Sequence, residues 1–371
     1  MKKFGSLLIG TLLCASLLAG CGSSASVSQS TVPETISTAE GAIETGSEEV
    51  SLEEMTAAKT ETSTEALEES SDDTVVRIGG LKGPTTMGLV KLMDDAKNGT
   101  AANNYEFTMV TAADELTGLV ASGKVDIALL PANVASVLYH KTEGKVSVID
   151  INTLGVLYLV SGDSSISSIE NLSGKTVYLP GKGTTPEYVL RYLISASGLS
   201  DDAVTLEFKS EASEVAAVLA EDPNAIGLLP QPFVTAAIAQ NDSLSVVLDL
   251  TKVWDSLQED GSNSRLLTGV SIVNNEFLAA HKDLVDTFLT EHEASIAYTA
   301  ADPEGAAALI EKAGIVAKAA IAQKALPACN ITYLDGQDMK DALNGYLSVL
   351  LSQNPQSVGG SLPEDDFYYL Q

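Results

Sequence analysis

The stretch Leu179-Pro180-Gly181-Lys182-Gly183-Thr184-Thr185 sets glycines, a lysine and two threonines ahead of an apolar run, the residue types of a phosphate cradle. A nucleotide loop requires G-x-x-x-x-G-K-[ST], because its backbone amides wrap two phosphates while the lysine and hydroxyl reach the terminal phosphate and Mg²⁺. Here the residue five before Gly181 is Thr176, and Gly183 follows Lys182, so the pattern fails at both places. What remains is a loop leading into a helix. The first amides of a helix lack internal partners, and the macrodipole attracts anions and oxygen-rich groups. Thr184 and Thr185 are therefore candidates for solute contact. Thr184-x-x-Glu187 with Pro186 also reads as a capping box with proline in the first turn, and one threonine can cap while its neighbour touches a ligand.

Catalytic patterns are weak elsewhere. The three histidines, His140, His281 and His292, show no H-E-x-x-H spacing, and the sequence lacks G-x-S-x-G. They read as solvated surface residues. Carboxylates are so abundant that adjacent pairs carry no catalytic meaning. Asp126 opens a strand and reads as a hydrogen-bonding group at a loop end, with ligand contact as the alternative. Trp254, the single tryptophan, reads either as core or interface packing or as a ring stacked on a solute at a cleft rim. Phe233 and Tyr158 are candidates of the same kind. Arg77 lies within a strand, Arg191 on a helix surface, and Arg265 is placed to enter a cleft. Cys14, Cys21 and Cys329 build neither a disulfide framework nor a thiolate metal cluster. No catalytic residue, cofactor or metal ion is expected.

The elements that position these residues come from an internal repeat. At a constant offset of 99 residues, Thr85-Thr86 falls on Thr184-Thr185, Glu115 on Glu214, and Leu129-Leu130-Pro131 on Leu228-Leu229-Pro230. Each copy opens with a β-branched run (75–78; 176–179) ending in a Gly/Pro loop. A segment of helical apolar spacing follows, then a second strand, a second helix, and a third strand ending at Leu-Leu-Pro. Alternating strands and helices imply parallel sheets covered on both faces, and hence two α/β lobes.

Ligands of such sheets sit outside the carboxyl ends of the strands. The equivalent loops are 82–86, 131–133, 182–185 and 231–233, and two lobes set face to face would aim all of them at one cleft. They supply Lys82, Gly83, Thr85, Thr86, Met87, Asn133, Lys182, Gly183, Thr184, Thr185, Gln231 and Phe233 as candidate solute contacts, with Tyr158, Trp254 and Arg265 beside them. Uncharged donors and the lack of an arginine in these loops suit a small polar solute, neutral or singly anionic.

The chain begins with two lysines, an apolar run from Leu7 to Leu18, and Leu18-Ala19-Gly20-Cys21, a secretory signal by length and composition. Its ending resembles a bacterial lipobox, which implies cleavage before Cys21 and a lipid on that cysteine; an ordinary signal peptide is the alternative. Residues 22–73 hold 13 Asp/Glu, one Lys and no aromatic residue, the composition of a disordered tether. Without that stretch and Lys2 and Lys3, 37 acidic and 18 basic residues remain in 74–371, a net charge of −19. Nucleic acid is excluded as a partner by that sign.

Together, the lipobox, the strand with "GPTTMGLVKL", the segment "SGKVDIALLPANVASVLY" and the tail "NPQSVGGSLPEDDFYY" resemble the solute-binding lipoproteins of bacterial ABC importers, in the nitrate/sulfonate/taurine and thiamine-precursor branch. The resemblance implies an α/β, two-lobed type II periplasmic binding protein fold, with parallel-sheet lobes joined by two crossover strands near 154–161 and 266–275. It implies a signal peptide at 1–20, a lipidated Cys21 and tether at 21–73, lobe one at 74–158 with a helical second part at 269–371, and lobe two at 159–268. It further implies a monomer on the outer face of the cell membrane, held by lipid, that delivers its solute to a permease and ATPase. The alternatives are an enzyme on the same fold and a lipoprotein sensor or adhesin. Pyrimidine-forming relatives of this fold work through a His and a Lys, and no matching His motif is present.

Overall fold

The computed structural model describes residues 74–258 and 263–370; the signal segment, Cys21 and the acidic stretch 22–73 lie outside the described residues. In the first repeat copy, β1 (Val75–Leu81) is followed by α1 (Pro84–Met87), α2 (Val90–Asn98), β2 (Asn104–Val110), α3 (Ala113–Ala121), β3 (Ile127–Pro131) and α4 (Ala132–Lys141). Then come β4 (Val146–Leu154) and β5 (Leu157–Ser161). The second copy is β6 (Thr176–Pro180), α5 (Thr185–Ala196), β7 (Thr205–Lys209), α6 (Ala212–Glu221), β8 (Ile226–Pro230) and α7 (Phe233–Gln240), followed by β9 (Ser245–Asp249) and α8 (Leu250–Ser256). The chain ends with β10 (Leu267–Asn274), α9 (Asn275–Ala280), α10 (Lys282–Ala301), α11 (Pro303–Lys312), α12 (Ala319–Ala325), β11 (Ile331–Leu334) and α13 (Gly336–Gln353).

The repeat extends to backbone pairing. Val75 faces Asn104 and Thr176 faces Thr205, while Ile78 faces Ile127 and Val177 faces Ile226, the same spacings in both copies. The loop after the first strand is tied identically: Lys82 N–H donates to Val110 O and Gly181 N–H to Lys209 O, both at 2.9 Å. One sheet has the order β11-β4-β10-β3-β1-β2 and the other β7-β6-β8-β5-β9. Burial follows position. β3 and β8 are central and carry unbroken buried runs, whereas the edge strand β2 alternates exposed and half-buried residues.

The expectation of parallel sheets holds for β1, β2 and β3 and for β6, β7 and β8. β10 runs antiparallel to β3 and β4, and β5 antiparallel to β8 and β9, so both sheets are mixed. The physical reason is connectivity: these strands enter from the other sheet without a covering helix on their own, the crossover that parallel pairing needs. Between β4 and β5 only Gly155 and Val156 intervene. A Cβ at Gly155 would stand 2.3 Å from Thr251 Oγ1 and 2.7 Å from Leu266 Cγ, so the close approach of the chain at this crossing requires glycine.

Helices cover each sheet on both faces, and one apolar cluster runs from Leu130, Ile151 and Val270 through Leu343 and Tyr346 of α13 to Trp254, Val189 and Leu228 of the second sheet. α13 thus packs on β4 and α4 of its own sheet and on α5 of the other. The sequence reading of His292 as a surface residue is corrected here. Its ring is wholly buried, with Nδ1 3.0 Å from Asp150 Oδ2 and the Phe288 ring stacked at 5.1 Å. α10 lies against the sheet along much of its length, and Asp150 in β4 supplies the partner that a buried polar ring needs.

Candidate functional site

At the carboxyl ends of β1 and β8 a cleft of about 770 Å³ lies between the two sheets. Hollows of about 140, 250 and 340 Å³ elsewhere each lie on one side only. The first sheet contributes Lys82, Gly83 and Pro84 after β1, and Thr268 at the start of β10. The second contributes Pro230, Gln231 and Pro232 after β8 and one side of α7, beginning with Phe233. Ile315, Val316, Lys318 and Ile321, from the connection into α12, form the outer wall. α12 touches α7, so this segment spans from one side of the cleft to the other.

The polar groups of the cleft are mostly donors. Gln231 is buried, and its Oε1 accepts from Thr235 N–H at 3.3 Å and from the Thr235 hydroxyl at 2.9 Å. Because a backbone N–H can only donate, that bond fixes which end of the amide is oxygen and leaves the Nε2 hydrogens for whatever fills the cleft. Lys82 and Lys318 are exposed and enter no ion pair among the described residues. Among the described residues no Asp or Glu lines the cleft. Phe233 is 40 % exposed, and among the described residues no other aromatic side chain is exposed.

Of the residues proposed from the sequence, the structure brings Lys82, Gly83, Gln231 and Phe233 together on this cleft. Thr86 is buried with its hydroxyl donating to Leu81 O at 2.7 Å, Met87 is buried in a cluster with Ile310 and Leu326, and Thr85 is buried with its hydroxyl unpartnered among the described residues. Asn133 and Thr185 meet across the lobes instead. The Thr185 hydroxyl donates to Asn133 Oδ1 and Asn133 Nδ2 to Ser357 O, both at 3.3 Å, a protein–protein seam. Thr184 does not cap its helix through its side chain. Its hydroxyl donates to Gly181 O at 2.5 Å, while Glu187 turns back to accept from Gly183 N–H at 2.7 Å, one residue before the position that a capping box uses. Lys182 lies over the Phe208 ring at 5.6 Å, and the Tyr158 hydroxyl donates to Ala328 O at 2.8 Å. Trp254 is fully buried between Tyr192 and Tyr346, and Arg265 stands 3.7 Å from Asp255.

Asp126 proves to be a structural anchor. Its Oδ2 accepts from the backbone N–H of Arg77 at 2.9 Å and from Arg77 Nε at 2.8 Å, and that bonding raises the guanidinium pKa further. Sequence reasoning missed Val156, Thr268 and the wall 315–321. Alanine-rich helical spacing announces α12 but carries no sign of which lobe it will reach.

This geometry, two α/β sheets with paired crossings and a cleft at strand ends, defines the periplasmic binding protein fold. Residues 106–306 match the family model described as NMT1/THI5 like. The match covers more than half of the chain, and the protein belongs to that family. Among solved structures, the fold is similar to an ABC transporter from Parabacteroides distasonis, with 24% identity and a TM-score of 0.66 over 80% of this chain and 99% of that one. It is also similar to the periplasmic aliphatic sulphonate binding protein SsuA from Escherichia coli, with 15% identity and a TM-score of 0.63 over 80% and 92%. The ligand binding component of an ABC-type import system from Staphylococcus aureus, with zinc bound, shares 15% identity with a TM-score of 0.58 over 80% and 97%. At these identities the likeness is one of fold. No curated protein sequence matches the chain significantly.

Proposed function

We propose that the protein is the extracytoplasmic solute receptor of an ABC importer. The observation that carries this reading is the cleft of about 770 Å³, walled by both sheets and furnished with two lysines that have no ion-pair partner among the described residues. Membership in the NMT1/THI5-like family supports it, as do fold neighbours whose names describe import or periplasmic binding. By sheet membership, lobe one is residues 74–154 with 267–371 and lobe two is 157–256, and the crossings between them act as the hinge. A solute favours closure only through a higher affinity for the closed state. Cys21 carries the lipid that holds the protein to the outer face of the membrane, with 22–73 as the tether, and the permease and its ATPase receive the solute.

The test is native mass spectrometry of the protein purified without denaturation. A small molecule retained one-to-one, chemically unaltered and released on unfolding, is the expected result. An empty protein whose melting temperature ignores a broad metabolite panel would refute the receptor, and a chemically altered ligand would replace it with an enzyme. For the anchor, the mature protein should begin at Cys21 and carry a lipid mass on that residue by mass spectrometry; a mature chain with an unmodified Cys21 thiol would refute the lipid.

A further inference from the structure

The sequence suggests a small polar solute, but the cleft is built differently. Its walls are largely aliphatic and proline side chains, with Phe233 exposed on the second lobe and Ile315 and Ile321 facing from the outer wall. Apolar walls of this extent, in a cavity of about 770 Å³, fit the body of a drug-sized molecule better than an ion the size of a few atoms. Surfaces of that kind are filled by displacing water from apolar groups.

The charge pattern is the second observation. Residues 74–371 carry a net charge of −19, yet among the described residues the cleft is lined by two lysines and no carboxylate. Both lysines belong to the first lobe, Lys82 after β1 and Lys318 before α12, and neither has an ion-pair partner among the described residues. Lys82 Nζ comes within 3.9 Å of the position that a Cβ on Gly314 would take, which places its ammonium beside the segment that leads to Lys318. The free Gln231 amide hydrogens add neutral donors from the second lobe. Two cations with no ion-pair partner among the described residues and an amide donor, set at the edge of apolar walls, are matched by an anionic acceptor on the solute.

We propose that the cleft selects an amphiphilic monoanion, its bulky apolar body lying against Phe233 and the Ile315–Ile321 wall and its anionic group held by Lys82 and Lys318. The proposal rests on the receptor reading above and names the chemistry of that same site. The apolar body then lies between the two lobes, against Phe233 and α7 of the second and the Ile315–Ile321 wall of the first. The charge is held by the first lobe alone, through Lys82 and Lys318.

The experiment uses the full chain and a matched pair of probes, 2-naphthoate and its neutral counterpart 2-naphthamide, in equilibrium dialysis. The acid should bind roughly tenfold tighter than the amide, the scale of one charge-assisted hydrogen-bonded pair. In Lys82→Gln/Lys318→Gln that gap should close through weaker binding of the acid, while Phe233→Ala should weaken both probes. Equal binding of acid and amide by the parent, or a gap that survives the double lysine variant, overturns the proposal. If neither probe binds while native mass spectrometry finds another solute retained, the ligand class is wrong and the receptor stands. If neither probe binds and no solute is retained, both readings fall together.

Discussion

Replacing Trp254 tests whether the joint between α8 and α13 is structural. The ring is fully buried, 4.8 Å from Tyr192 and 5.9 Å from Tyr346, so it ties the second sheet to the C-terminal helix of the first. Truncating a buried Phe or Trp to Ala costs about 3–5 kcal/mol. Trp254 Nε1, however, has no hydrogen-bond partner among the described residues, and an unpaired buried donor costs the native protein about 1–3 kcal/mol. Trp254→Ala removes both terms, leaving a net loss of roughly 2 kcal/mol, or a fall of roughly 3 °C in melting temperature for a folded part of this length. Trp254→Phe keeps a ring, leaves a smaller void and removes the same donor, so its two terms nearly cancel and stability should stay within about 1 kcal/mol of the parent. The assay is urea unfolding followed by far-ultraviolet circular dichroism, since either variant lacks the only tryptophan. An Ala variant as stable as the parent would refute the joint, and a Phe variant as damaged as the Ala variant would refute the unpaired-donor argument. Solute affinity should be unchanged in Trp254→Phe, because the indole does not line the cleft; a large loss of binding would restore the stacking alternative.

Two further outcomes follow from burial. Gly155→Ala should lower stability by about 1–3 kcal/mol through overpacking, because the new methyl group would lie 2.3 Å from Thr251 Oγ1; thermal unfolding at parental temperature would show that the crossing has slack. Burial pushes the Cys329 thiol up to about 12, so in the folded protein it should stay protonated and resist alkylation until urea unfolds the chain, as read by mapping the Cys329 peptide. The sign follows from linkage: a raised folded pKa gives stability that is complete below the unfolded thiol's usual value of about 8.5 and is lost as pH rises towards about 12. Rapid labelling of the native protein at neutral pH would contradict both statements.

How far the sequence reaches is best seen at particular residues. The 99-residue repeat was legible because each copy must bury the same alternation of strand and helix, and the pairings of Ile78 with Ile127 and Val177 with Ile226 show that it governs register too. The burial of His292 was not legible, because its partner Asp150 is 142 residues away and only the fold brings them together. The same holds for the loops. Lys82, Gly83, Gln231 and Phe233 reach the cleft as their strand ends predict, but Asn133 and Thr185, equally well placed along the chain, meet each other across the lobes.

The sequence by itself determined the α/β class, the doubling of the unit and the loops at the strand ends, since each depends on local periodicity and turn chemistry that neighbours along the chain set. Only the tertiary structure decided which of those loops enclose the cleft, that α12 supplies its outer wall, and that two lysines stand there with no ion-pair partner among the described residues of an acidic protein. Those outcomes depend on how two lobes and a C-terminal set of helices pack together, through contacts between residues too far apart in sequence for any local pattern to encode.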